Sequence, residues 1–151
     1  MSGAAARSIA AGLSVMVLGC GGPALDAPPR IRIGEDACAT CHMIISEARF
    51  SASVTLADGT RAHFDDIGCL TRGLPQRQQI PMRIWVHAYQ AQQWLPAHAA
   101  VFVESREMAT PMGGGIVALS TLEEAQQLAS ATHGRVRTFQ ELLNAHKEEK
   151  R

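Results

Sequence analysis

Two stretches of this chain, about fifty residues apart, carry the same succession of local signals, and that repetition restricts the fold more than any other feature. In the first stretch, residues 51–56 (SASVTL) alternate polar and apolar side chains with period two, the signature of a half-buried strand. Asp58-Gly59 is a hairpin turn signal, and residues 60–64 (TRAHF) can return as the partner strand. Asp65 and Asp66 can cap a short helix through Ile67, Leu70 and Leu74; residues 75–81 form a loop, and residues 82–86 (MRIWV) alternate again. In the second stretch, residues 99–104 (AAVFVE) read as a strand, residues 105–115 as a glycine-rich loop, and residues 115–119 (GIVAL) as a second strand. Ser120 or Thr121 then caps a helix, with Glu123 or Glu124 in its first turn and Leu122, Ala125, Leu128 and Ala129 as an apolar stripe. Gly134 ends that helix, residues 135–139 give a third strand, and residues 140–150 a closing helix. The pattern predicts an α+β protein of two small pseudo-repeated β-β-α-β units, residues 37–92 and 93–151.

What precedes the first unit reads as an address. Residues 9–19 are apolar and follow Arg7; the run is too short for a membrane-spanning helix and suits a signal-peptide core. It ends in Val17-Leu18-Gly19-Cys20, which resembles a bacterial lipoprotein processing site. Cleavage after residue 19 would leave Cys20 as a lipidated N-terminus, anchoring the protein by lipid on the periplasmic side of a membrane. Gly21 follows where an aspartate would resemble an inner-membrane retention signal, which favours the outer membrane. Residues 20–36 contain GGPALDAPPR and read as a tether. Hydrophobic residues make up 46% of the chain and charged residues 19%, sufficient for a packed core. A formal net charge of zero and an aromatic content of 5% argue against a nucleic-acid partner.

With Cys20 lipidated, Cys38, Cys41 and Cys69 remain, and an odd count in an oxidising compartment flags a free or metal-bound thiol. Cys38-Ala39-Thr40-Cys41-His42 admits several chemistries. It matches the covalent haem attachment pattern, with Met112 or Met108 as an axial ligand, yet strand patterning follows it where small c-type cytochromes have helices. A thiol-disulfide oxidoreductase would place the motif at a helix N-terminus after a strand, and no such strand precedes it. Structural zinc would need Cys38, Cys41, His42 and Cys69 assembled by the fold. Soft-metal binding is the fourth reading, because thiolates and thioethers select Cu(I). Met43 lies two residues after Cys41, and Met112 sits between Pro111 and three glycines, a loop in which core packing poorly explains a large thioether. Cys69, beside Ile67 and Leu70, reads as a buried free thiol; His87, His98 and His133 read as surface or edge residues. No nucleophile and base stand at a telling spacing, so no enzyme is expected.

The chain resembles the NosL family, lipoproteins that load copper into nitrous oxide reductase. The resemblance rests on Cys20, the Cys38-x-x-Cys41-His42-Met43 motif, Asp58-Gly59 followed by Phe64-Asp65-Asp66-Ile67-Gly68, Trp94 with Ala97, Pro111-Met112-Gly113-Gly114-Gly115, and the ending Gly134…Phe139-x-Glu141-Leu142. It implies one Cu(I) site made by Cys41 and Met112, with Met43 and a histidine as further candidate ligands. It also implies delivery toward the multicopper centre of nitrous oxide reductase, alongside other copper-site assembly proteins. Many members of the family carry glycine where this chain has His42, which leaves that residue's part in the site open. Cys38 stands as a second ligand, a disulfide partner or a bystander.

Overall fold

The structure is a computed structural model that describes residues 27–148. The signal segment and Cys20 lie outside the described residues, so the lipoprotein expectation is not addressed by it. Among the described residues, seven strands and three α-helices follow one another as β1 (Ala52–Thr55), β2 (Arg61–Phe64), α1 (Ile67–Gly73), β3 (Arg83–His87), β4 (Trp94–Pro96), β5 (Val101–Glu104), β6 (Ile116–Leu119), α2 (Leu122–Ala131), β7 (Arg135–Arg137) and α3 (Phe139–Glu148). Two antiparallel sheets result, ordered β2-β1-β3-β4 and β6-β5-β7. In each, the first strand of the unit lies centrally, paired on one side with its hairpin partner and on the other with the strand that follows the helix. The repeated order read from the sequence is therefore also a repeated topology, an α+β fold.

Local chemistry accounts for the element ends. Gly59 takes φ +82° in the β1–β2 hairpin, and the Asp58 carboxylate accepts from Thr60 N–H at 2.9 Å, an Asx turn. Asp66 caps α1 by accepting from Gly68 N–H at 2.5 Å. Thr121 and Glu124 form a reciprocal capping box at the start of α2.

Four details differ from the sequence reading. Trp94–Pro96 form a strand that the sequence reading lacks; its proline is tolerated because β4 lies at a sheet edge. The last strand stops at Arg137 rather than residue 139, because Thr138 and Glu141 bond reciprocally and start α3. The left-handed residue that ends α2 is His133, φ +47°, not Gly134. Gly134 is instead needed for close packing, since a Cβ there would lie 3.0 Å from Glu104 O. His87 is buried at the end of β3, opposite Trp94 in register and edge-on to its ring at 5.0 Å, rather than at the surface.

The period-two alternation of β5 and β6 buries both faces of the second sheet. Phe102, Ile116 and Ala118 join Val54, Phe64, Val86, Leu70 and Leu142 in a core shared with the first sheet, α1 and α3. Val103, Val117 and Leu119 face the other way, toward Ala125 and Ala129 of α2. The two sheets are stitched by a bridge between Ala88 and Ala118. Cys38 and Cys69 belong to the shared core, which places sulfur at the junction of the units. Among the described residues no helix is long and apolar enough to cross a membrane.

Candidate metal centre

The CxxC motif occupies a tight hairpin-like turn. Ala37 and Ile44 bridge in antiparallel fashion, Cys38 N–H donates to Met43 O at 2.8 Å, and His42 N–H donates to Cys38 O at 2.9 Å. Closing that turn requires a left-handed residue, and His42 supplies it at φ +62°. Glycine would take this conformation with no Cβ penalty, and histidine is among the side chains that tolerate it. The turn is pinned to the rest of the molecule twice. Ala39 N–H donates to His63 O of β2 at 2.8 Å, and the Thr40 hydroxyl donates to Cys69 O of α1 at 3.0 Å. Gly73 leaves room for Thr40, since a Cβ there would overlap the threonine hydroxyl.

These restraints bring the sulfur atoms of Cys38, Cys41 and Cys69 within 4.8 Å of one another. Cys38 and Cys69 are 1% and 0% exposed, whereas Cys41 is half-buried at the rim. The Cys69 thiol hydrogen-bonds to the Cys38 sulfur, and backbone N–H groups of Cys41, Asp65 and Thr40 point at the same atom. Those donors outweigh burial and bring the Cys38 thiol down to about 4. Burial raises Cys41, opposed by the N–H of Met43 aimed at its sulfur. Cys69 is raised because it serves as donor to Cys38 and is itself buried. Cys38 is thus the cysteine of the three whose deprotonated form its surroundings favour most. Arg72, one helical turn beyond Cys69, places its guanidinium Nη2 3.3 Å from that sulfur and supplies the nearby positive charge.

The methionine loop reaches the same short segment of chain. Asp66 is 0% exposed, and its second carboxylate oxygen accepts from the Thr110 hydroxyl at 2.5 Å and from Met112 N–H at 3.3 Å. Thr110 in turn accepts from Gly115 N–H at 3.1 Å, closing the loop on itself. Gly114 and Gly68 pack backbone to backbone: a Cβ on either would lie 3.2 Å from the other's Cα and 2.7 Å from an Asp66 oxygen. The Cys38 sulfur contacts Asp65 N–H while Met112 is moored on Asp66, so both sulfur-bearing loops converge on residues 65–69. Met112 is 38% exposed and Met43 58%, far from the core role methionine usually fills.

The sequence-derived candidates therefore divide. Cys38 and Cys41 stand together, Met43 follows Cys41 as an exposed side chain, and Met112 is moored by its N–H to Asp66, three residues before Cys69. Met108, the reserve candidate, packs against the α2-side core. Cys69, read as a free core thiol, is the third member of the sulfur cluster. Its apolar helical context hid this, as did the roles of Asp66 and Arg72; a cysteine three residues after a capping aspartate and three before an arginine was the available signal. His42 is exposed, and neither it nor any carboxylate joins the cluster among the described residues. A closed four-ligand zinc site is thus not assembled. Covalent haem is disfavoured as well, because Cys38 is buried against Cys69 and leaves no face for a porphyrin. The CxxC turn does not begin a helix, so the arrangement is not that of a disulfide oxidoreductase.

An α+β scaffold that gathers three cysteine sulfurs, with an exposed methionine on a loop moored to the cap of the helix that carries one of them, is suited to binding a soft metal ion. Residues 32–146 match the model of the NosL family, and the chain belongs to that family. No curated protein matches the chain. Among solved structures, it is similar to the crystal structure of the copper chaperone NosL from Shewanella denitrificans. That match has 19% identity, covers 76% of this chain and 96% of the other, and has a TM-score of 0.61, a likeness of fold.

Proposed function

We propose that this protein is a copper chaperone that carries Cu(I) at Cys41, with Met112, Met43 and Cys38 as further donors, and delivers it for assembly of nitrous oxide reductase. The observation that supports this most is the gathering of soft donors and nothing else: three thiols within 4.8 Å, two exposed thioethers on the adjoining loops, and no nitrogen or carboxylate ligand in the group. Soft sulfur donors match a monovalent d¹⁰ ion, and a hard-cation site would need the oxygen ligands that are absent from the cluster. Incomplete protein ligation at an accessible rim leaves a coordination position for a donor from the acceptor, so copper can pass by ligand exchange without release into solution.

Delivery requires the carrier to meet its acceptor. Lipidation at Cys20 and the tether that follows would hold the folded domain on the periplasmic side of a membrane while leaving it free to reorient. The apolar side chains of Met43, Ile44 and Met112, exposed by 58%, 48% and 38%, give the rim a surface suited to burial against a partner. Titration of the reduced protein with Cu(I) under anaerobic conditions, against a competing chelator, tests the reading. One ion per chain is expected, with retention lost in Cys41→Ala. Wild-type affinity in Cys41→Ala, or a preference for zinc over Cu(I), would remove it.

A further inference from the structure

Among the described residues, five sulfur-bearing side chains of α1 and the two site loops run in a graded series from core to surface. Cys69 and Cys38 are 0% and 1% exposed, Cys41 is half-buried, Met112 is 38% exposed and Met43 58%. Cys41 alone belongs to both the buried triad and the exposed rim: its sulfur lies within 4.8 Å of Cys38 and Cys69, and it receives the N–H of Met43. Met112 is tied through Asp66 to the helical turn that carries Cys69. We infer that the protein holds one Cu(I) ion at two successive positions, an inner one ligated by Cys38, Cys41 and Cys69 and an outer one ligated by Cys41 with the Met43 and Met112 thioethers, Cys41 staying bound throughout. The inference rests on the copper-carrier reading and deepens it by assigning retention and release to different donors.

The inner position fits a metal ion with little movement. Three points within 4.8 Å of one another lie no more than about 2.8 Å from a common centre, against roughly 2.3 Å for a metal–thiolate bond. Inward shifts of about half an ångström per sulfur complete the site, well within side-chain freedom. Three thiolates on a monovalent cation leave two excess negative charges, and the Arg72 guanidinium at 3.3 Å from Cys69 offsets one of them. Burial keeps external ligands away from Cys38 and Cys69, so an acceptor can reach the ion only by way of Cys41 and the thioethers.

Passage from inner to outer position breaks the bonds from copper to the Cys38 and Cys69 sulfurs and forms bonds to the two thioether sulfurs. Copper remains Cu(I) and no electrons move. The freed Cys38 and Cys69 sulfurs, within 4.8 Å of each other, share a proton taken up from solvent. Thioethers are neutral and bind more weakly than thiolates, so the outer state is the minor one and the one poised for exchange.

The test measures equilibrium retention and departure rate separately, on anaerobic Cu(I)-loaded protein, with bathocuproine disulfonate as the chelator. The thiolate-to-copper charge-transfer absorbance is followed as well. Cys38→Ala and Cys69→Ala are each expected to weaken retention about tenfold or more and to lower the charge-transfer intensity. The double variant Met43→Leu, Met112→Leu is expected to slow the departure of copper to the chelator at least about tenfold, opposite in direction to the faster departure expected when a retaining thiolate is removed. If both cysteine variants keep wild-type affinity and intensity, or if the double methionine variant changes neither affinity nor rate, the two-position scheme is wrong. Loss of retention in the methionine variant with silent Cys38 and Cys69 also overturns it, yet leaves the carrier reading intact. Failure of the carrier reading has a separate signature, undiminished retention in Cys41→Ala.

Discussion

Asp66→Ala is expected to be among the most damaging single substitutions near the metal centre, although Asp66 is itself no ligand. Three donors converge on its buried carboxylate: Gly68 N–H at 2.5 Å, the Thr110 hydroxyl at 2.5 Å and Met112 N–H at 3.3 Å. Removing the first costs α1 its N-cap, about 1 kcal/mol. Removing the other two strands a hydroxyl and an amide, each about 1 kcal/mol or more, discounted because Thr110 can rotate and Met112 is part-exposed. The expected loss is about 3 kcal/mol, or about 10 °C in melting temperature for a domain of this size. Urea unfolding with and without the substitution measures it, the slope being checked so that the change belongs to the folded state. Because the lost bonds moor the methionine loop, amide exchange at Met112 and Gly115 should accelerate beyond the global effect. A stability change under about 0.5 kcal/mol, with unaltered exchange in the loop, would refute the claim that Asp66 joins the loop to the helix.

Further consequences can be checked singly. In the reduced, metal-free protein the thiolate absorbance of Cys38 should persist from neutral pH downward and vanish only as pH falls through about 4, the deprotonated form being favoured by its N–H and S–H donors; the same titration on Cys38→Ala should show no such step. His42→Gly should leave stability unchanged or raise it by up to about 1 kcal/mol, because glycine takes φ +62° without strain, whereas His42→Val should lower it by about 1–2 kcal/mol. Neither should alter Cu(I) affinity, since His42 stands outside the sulfur cluster; a marked affinity loss in His42→Gly would make it a ligand. Gly115→Ala should cost about 2–3 kcal/mol in thermal or urea unfolding, because φ is +64° and a Cβ there would overlap Ser105 O.

Much of this architecture is written locally and was legible for that reason. Period-two alternation in β1 and β3, the short apolar runs of β5 and β6, the Asp58-Gly59 turn and the Asp66 and Thr121 caps are each decided within a few residues, so the two β-β-α-β units emerge from sequence alone. Trp94–Pro96 escapes because a three-residue edge strand containing proline has no periodicity to read. His87 looks like a surface residue until its pairing with Trp94 is known, and that pairing depends on β4. The metal centre shows the same division. Cys38 and Cys41 declare themselves by spacing, and Met112 by its implausible place among glycines. Cys69 stands 28 residues beyond Cys41 in an apolar helix, where local context favours a core thiol. Long-range contacts bring it to the other sulfurs, among them the Thr40–Cys69 hydrogen bond and the packing of Gly73 against Thr40.

X-ray absorption at the copper edge, recorded on anaerobically loaded full-length protein, bears most directly on the account. It predicts a monovalent ion whose first coordination shell contains sulfur alone. Divalent copper, or a shell of nitrogen and oxygen neighbours, would contradict it.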